Sequence, residues 1–257
     1  MFSLYQFNDV EISKEHLLKQ KYIELLYINE PFVVDTQIIA LFDVSEYHLK
    51  YGNTLIVHAK YGVFFDVRTT KQLMNEFYLI NGVGFASSRA IADFFDMTHY
   101  MPFISAYISY MPMTGGSRKN VDWVALHWIK KYSQIQKSAA FITVQGFKIR
   151  FGFPRGDLNN RIHDVCVMNE KSIGMFQTIV HTGLAELQPP AITGVVVQHK
   201  NCGCELHKLL HQKLHDVNHT FSMIRNFVFT HLDIESINPE LVIQYYYHNL
   251  ARLSKLC

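Results

Sequence analysis

The residues best suited to metal chemistry lie together near residue 200. Cys202-Gly203-Cys204 is followed by four histidines at intervals of four residues, the first two being His207 and His211. Two thiolates and an i, i+4 histidine pair on one helix can hold a zinc ion. Alternatively, the histidines border the apolar face of an ordinary amphipathic helix. We expect this second interpretation, with no metal or other cofactor, and keep Cys202, Cys204, His207 and His211 as the less favoured zinc site of a structural or regulatory kind.

Sequence motifs typical of enzymes are missing from the chain. Gly82-Val-Gly84 lacks the third glycine of a dinucleotide-binding loop, and no P-loop or HExxH pair occurs. Ser87 and Ser88 lack the glycines that frame the nucleophile of a hydrolase. We therefore expect a protein that is not an enzyme.

Positive charge is concentrated in the middle of the chain. Residues 60–161 carry 13 Lys and Arg against six Asp and Glu, whereas the whole chain has a net charge of only +2. Residues 1–59 have a net charge of −4 and residues 162–257 a net charge of −1. Such a basic segment indicates contact with a polyanion, most often nucleic acid. A solvated basic surface without a partner is the alternative.

Seven basic side chains in this region are candidates for DNA contact. They are Arg68, Lys71, Arg89, Arg118, Lys119, Lys148 and Arg150. Lys148 and Arg150 alternate with apolar residues, so they share the polar face of one strand. Arg118 and Lys119 follow two glycines, which would let the backbone approach DNA closely. Each candidate could instead be a structural or solvent-facing residue. Lys130 and Lys131 are weaker candidates for DNA contact. We expect Trp123 and Trp128 in the core.

The elements that carry these residues change character along the chain. Short apolar runs separated by turn residues predict strands at 32–34, 54–57, 63–67, 78–80, 103–108, 140–144 and 147–151. The last two, joined by Gln145-Gly146, predict a hairpin. Ser13 could cap a short N-terminal helix, and Leu206, Leu209 and Leu210 begin an apolar face that predicts a helix over 205–229. Asn238-Pro239 predicts the start of a last helix.

These patterns together predict an α+β fold with a strand-rich sheet core and helical N- and C-terminal segments. At 257 residues and 49% hydrophobic composition, the chain can bury a substantial core. We place a basic, strand-rich domain at 1–170 and a turn-rich linker with a helical extension at 171–257. Neither a signal peptide nor a membrane span is apparent, and the four cysteines do not suggest a disulfide framework. We expect a cytoplasmic protein.

A series of short motifs resembles the competence transcription factor family (ComK). In order they are Asp35-Thr36, Tyr51-Gly52, Tyr61 to Phe65, Gly82 to Arg89, His99 to Ile104, Tyr110 to Pro112, Asp122-Trp123 and Gly146 to Ile149. The resemblance covers roughly residues 22–165 and rests on the order and spacing of these motifs. Arg89 stands in the segment that is similar to the family's "GR". The helical extension has no counterpart in the family pattern.

The resemblance implies a transcriptional activator of genes for DNA uptake and transformation. Such a protein binds AT-rich boxes of double-stranded DNA as a homo-oligomer, largely through the minor groove, associates with the nucleoid, and is controlled by adaptors and proteases. A basic β-sheet face could place arginines in a narrow AT minor groove while lysines contact phosphates. The alternative function is a protein-interaction or adaptor module with a basic face and a His-rich docking helix, without DNA contact.

Overall fold

The computed structural model describes residues 4–8, 10–23, 26–28, 31–80, 84–115 and 120–213. Within these ranges the chain forms the α+β fold that the sequence predicts, with a seven-stranded sheet, a three-stranded sheet and six α-helices. The predicted last helix from Pro239 and the part of the predicted 205–229 helix after Lys213 lie outside the described residues.

The seven-stranded sheet has the order β1-β4-β3-β2-β7-β6-β5. Its strands are β1 (Tyr27–Ile28), β2 (Ile38–Asp43), β3 (Thr54–His58), β4 (Gly62–Asp66), β5 (Phe103–Ser105), β6 (Ile108–Pro112) and β7 (Trp123–Ala125). All neighbours pair antiparallel except the short β1, which pairs parallel with β4. The sheet is therefore mixed, and β2, β3 and β4 at its centre are buried on both faces, which explains their nearly continuous apolar sequences.

Six α-helices accompany the sheets. They are α1 (Lys14–Leu17), α2 (Gln20–Ile23), α3 (Thr70–Ile80), α4 (Gly84–Phe94), α5 (Leu158–Thr182) and α6 (Glu205–Lys213). Ser13 caps α1 as predicted, since its hydroxyl accepts a hydrogen bond from the backbone N–H of His16 at 3.2 Å. Asp157 caps α5 in the same way through the N–H of Asn160.

Helix α3 covers one face of the large sheet. Its buried residues Leu73, Met74 and Phe77 have helical spacing and pack with Phe64 and Tyr110. The prediction of a strand at 78–80 was therefore wrong, because these residues complete the last turn of a helix that contacts the sheet along one side. The predicted strand at 32–34 was also wrong: this stretch is irregular.

The three-stranded sheet and α5 cover the opposite face. The strands β8 (Ile129–Ile135), β9 (Ser138–Thr143) and β10 (Lys148–Gly152) follow one another antiparallel in the order β10-β9-β8. The predicted hairpin is confirmed as β9 and β10. Phe151 of β10 stacks on Phe42 of the large sheet with ring centroids 4.7 Å apart, so the inner face of the small sheet closes the core.

The division expected after residue 170 falls inside helix α5. Residues 171–182, which the sequence placed in a turn-rich linker, continue this helix for three more turns. Residues beyond it also join the main core, since Val195, Val196 and Leu210 are buried in the same cluster as the sheets. Apolar contacts thus hold the region from 183 to 213 against the strand-rich part. No helix in the described ranges has both the length and the apolar character needed to cross a membrane.

Candidate functional site

A basic face lies on the outer side of the three-stranded sheet. Residues 123–156, which include all three strands, contain six Lys and Arg and no Asp or Glu. Lys131 of β8 and Lys148 of β10 both pair with Ile142 of the central strand, from opposite sides. All three side chains therefore point to the same face, and both lysines are exposed. Arg150 lies beside Ala140 on this face, two residues along β10 from Lys148.

Lys148 and Arg150 thus share one polar face, as the alternation predicts, with Phe151 and Ile149 turned into the core. Arg150 is partly engaged within the chain: its Nη2 lies 2.6 Å from a carboxylate oxygen of Glu11, and its Nε donates to the other oxygen at 2.9 Å. About half of the Arg150 side chain, 48%, remains exposed. We name Lys131, Lys148 and Arg150 the sheet-face cluster.

Lys71 and Arg89 line a separate groove of about 590 Å³. The groove runs between α3, α4, residues 98–101 and the backbone near Pro112, Gly115 and Val121. Its other walls are largely aromatic or apolar, with Tyr78, Tyr100 and Trp123 among them. Arg89 pairs with Asp93, one helical turn later, at 2.9 Å. The structure therefore brings Lys71 and Arg89 together but does not join them to the sheet-face cluster by any described contact.

Arg68 has its donors engaged within the protein. Its guanidinium binds both carboxylate oxygens of buried Asp66, at 2.9 and 2.6 Å, and one of Glu76 at 2.5 Å. A further hydrogen bond of 2.8 Å reaches the carbonyl of Phe32. These carboxylates raise the pKa of Arg68 above its usual range, mainly through the Asp66 hydrogen bond. Arg68 therefore ties β4 to α3, and we assign it a structural role in place of DNA contact. Arg118 and Lys119 lie outside the described residues.

Two tryptophans and one histidine of the basic region have structural roles. Trp123 is only 9% exposed, as expected for a core residue, and the indole Nε1 of Trp128 donates to the carbonyl of Thr36 at 2.8 Å. His127 lies with its Nε2 at 3.1 Å from the same carbonyl. Burial lowers the pKa of His127, so the ring is neutral near pH 7.

A cluster of two cysteines and two histidines lies where α5 meets α6. The cluster consists of His163, Cys202, Cys204 and His207, whose ligand atoms all lie within 4.8 Å of one another. Three of these four were in the less favoured zinc site. His211 is not part of the cluster: it lies one turn further along α6 and is exposed. His163 of α5 takes its place.

One functional candidate, His163, was missed in the sequence, and another, Lys131, was given too little weight. Nothing marked His163, because it lies 39 residues before Cys202 and meets it only through the packing of α5 on α6. Lys131 was underrated because the bulge at the start of β8 shifts its register, so simple alternation does not reveal that it faces outward beside Lys148.

Comparison with protein-family models, with curated proteins and with solved structures found no match for this chain. The resemblance to competence transcription factors therefore stays a prediction from the ordered motifs.

Proposed function

We propose that the protein is a cytoplasmic, DNA-binding regulator of the competence type, which activates genes for DNA uptake and contacts the phosphate backbone through the sheet-face cluster. The observation that carries this proposal is the basic outer face of the three-stranded sheet, whose strands contain no acidic residue. Neither Lys131 nor Lys148 has a carboxylate among the residues of its own sheet. Their charge is thus available to an external polyanion.

The spacing of the cluster suits a duplex. Lys131 and Lys148 are separated by two interstrand distances, or about 10 Å. Two flexible lysine side chains at this separation can reach phosphates on either side of a minor groove about 6 Å wide. Ile142 between them supplies an apolar contact, and Arg150 adds a planar donor that can enter a narrow AT-rich groove.

Lys71 and Arg89 form a second basic site in the proposed complex. The groove they line is bordered by aromatic side chains, and residues on either side of Arg118 and Lys119, namely Gly115 and Val121, also line it. Several protomers bound to adjacent AT-rich boxes would supply the specificity that the degenerate minor groove lacks. The proposal therefore includes a homo-oligomer on DNA.

The test is fluorescence anisotropy with the full-length protein and two labelled duplexes, one with two phased AT-rich boxes and one with the same length scrambled to high GC content. We expect tighter binding to the AT-rich duplex and a steep loss of affinity with salt, because phosphate contacts release counterions. Binding that does not distinguish the duplexes would refute the specificity. No binding to either duplex would refute DNA contact and favour the adaptor function.

A matched pair of variants locates the contact. Lys148→Gln removes a charge from the sheet face, and Lys50→Gln removes a charge that is also exposed, in the acidic N-terminal region. We expect weaker DNA binding in Lys148→Gln and unchanged binding in Lys50→Gln. Arg89→Ala, measured beside them, separates the groove from the sheet face as the principal contact.

A further inference from the structure

We infer that His163, Cys202, Cys204 and His207 form a structural zinc site that fastens the C-terminal region onto helix α5. Two thiolates and two imidazoles are a common ligand set of structural zinc, and their charges neutralise the ion. This inference is independent of DNA binding, since none of the four residues belongs to the sheet-face cluster.

The distances between ligand atoms fit a tetrahedral ion. Cys204 Sγ lies 3.2 Å from His207 Nδ1 and 3.4 Å from His163 Nε2. In a tetrahedral zinc site, with Zn–S of about 2.3 Å and Zn–N of about 2.0 Å, a sulfur and a nitrogen ligand are about 3.5 Å apart. The observed pairs therefore need to move only a few tenths of an ångström to bind one ion.

The local structure places three ligands on one short segment. Cys204 immediately precedes α6 and its carbonyl accepts the N–H of Lys208, so its thiol lies at the start of the helix. His207 follows in the first turn of α6. Gly203 between the cysteines has open space around it, and the chain can bend there to present both sulfurs.

Each histidine directs its second ring nitrogen toward a carboxylate. His207 Nε2 lies 3.4 Å from Glu170 Oε2, and His163 Nδ1 lies 3.6 Å from Asp164 Oδ1. His207 Nε2 is buried and makes no hydrogen bond within the described residues. Zinc on Nδ1 would place the ring proton on Nε2, from which it can be donated to Glu170. Such carboxylate–histidine–zinc pairs orient the ligands in zinc sites.

The site would close a loop between distant parts of the chain. His163 belongs to the second turn of α5, whereas Cys202 and Cys204 lie at the end of the irregular segment 183–204 and His207 lies in α6. That segment is already anchored at Gly194, where an added Cβ would lie 2.6 Å from the carbonyl oxygen of His127. The metal would thus fix the far end of a segment whose middle packs against the core.

The test measures zinc in the full-length protein after removal of any polyhistidine tag. We expect one zinc per chain in the wild type, and after replacement by Co²⁺ the visible bands of a tetrahedral ion with thiolate-to-cobalt charge transfer. Cys204→Ser and His163→Ala should lose the ion. Cys166→Ser, which changes a buried free thiol on the same helix, and His211→Ala should retain it.

A weaker variant keeps the test decisive if the ligand variants fail to fold. Glu170→Gln leaves all four ligands in place and should weaken zinc binding about 10- to 100-fold. A wild-type protein that binds neither Zn²⁺ nor Co²⁺ would overturn the inference. Retention of zinc by His163→Ala together with its loss from His211→Ala would also overturn it, because the ligands would then all belong to the CxC segment and α6.

Discussion

Removing the three charges of the sheet-face cluster gives the sharpest test of how the protein would meet DNA. The perturbation is the triple variant Lys131→Gln, Lys148→Gln and Arg150→Gln. All three side chains are exposed on the outer face of the small sheet. Glutamine keeps much of the side-chain length and its polarity, so the core on the inner face is undisturbed.

The expected magnitude follows from the number of charges. Each phosphate that a cation neutralises contributes about 0.9 to the slope of log affinity against log salt on B-DNA. Three contacts per protomer therefore correspond to a slope smaller by about 2.7 in the variant. Between 50 and 200 mM salt, a fourfold change, the wild type should lose about 40-fold more affinity than the variant.

The assay is anisotropy with the AT-rich duplex over a salt series, with Lys50→Gln as the matched control. The slope is more informative than the affinity at one salt concentration, because it counts contacts and is insensitive to small losses of active protein. A triple variant whose slope equals that of the wild type would refute the sheet face as the phosphate contact. If the same slope were lost in Arg89→Ala instead, the groove would be the interface.

Three further changes test individual parts of the structure. Glu11→Gln frees Arg150 from its exposed ion pair and should tighten DNA binding by up to about fivefold, since such pairs are worth about 1 kcal/mol or less; unchanged or weaker binding by anisotropy would contradict this. Arg68→Met leaves Asp66 buried without its partner and should lower the free energy of unfolding, measured by urea titration, by about 2–4 kcal/mol. A loss below about 1 kcal/mol would contradict a structural role for Arg68. The pKa of His127 is lowered in the folded protein, so below about pH 6.5 the unfolded chain takes up a proton that the folded protein does not. The free energy of unfolding therefore decreases as the pH is lowered, by at most about 1.4 kcal/mol per pH unit. The fall should be shallower in His127→Gln, and an equally steep fall in this variant would assign the effect to other groups.

Sequence patterns predicted those parts of the fold in which neighbouring residues determine the structure. The alternation of apolar and charged residues predicted the β9–β10 hairpin and the outward direction of Lys148 and Arg150. A strand with one buried face must alternate apolar and polar residues in this way. Ser13 identified the start of α1 because capping depends on a few adjacent residues. The stretch 78–80 was misassigned since three apolar residues at the end of a helix resemble a short strand.

Contacts between distant residues could not be predicted in the same way. The engagement of Arg68 by Asp66 and Glu76 depends on the packing of α3 against β4, and a count of charges treats this arginine like any other. For the same reason, the sequence predicted His211 in the cysteine–histidine cluster, where the structure has His163. A periodic pattern of histidines identifies one helix face, but the fourth ligand comes from another helix.

The proposed zinc site and the proposed DNA-binding face are both attached to helix α5, yet we expect them to act separately. The first turn of α5 is fastened to β8 of the basic sheet, because the backbone N–H of Leu158 donates to Gln134 at 2.8 Å and Asn159 accepts from Tyr132 at 2.7 Å. Apolar packing of α5 on the core reinforces this attachment without the metal. Zinc removal should therefore loosen the segment that carries Cys202 and α6 while leaving the sheet face intact. After the zinc is removed with a chelator, we therefore expect a lower Tm and an unchanged affinity for DNA.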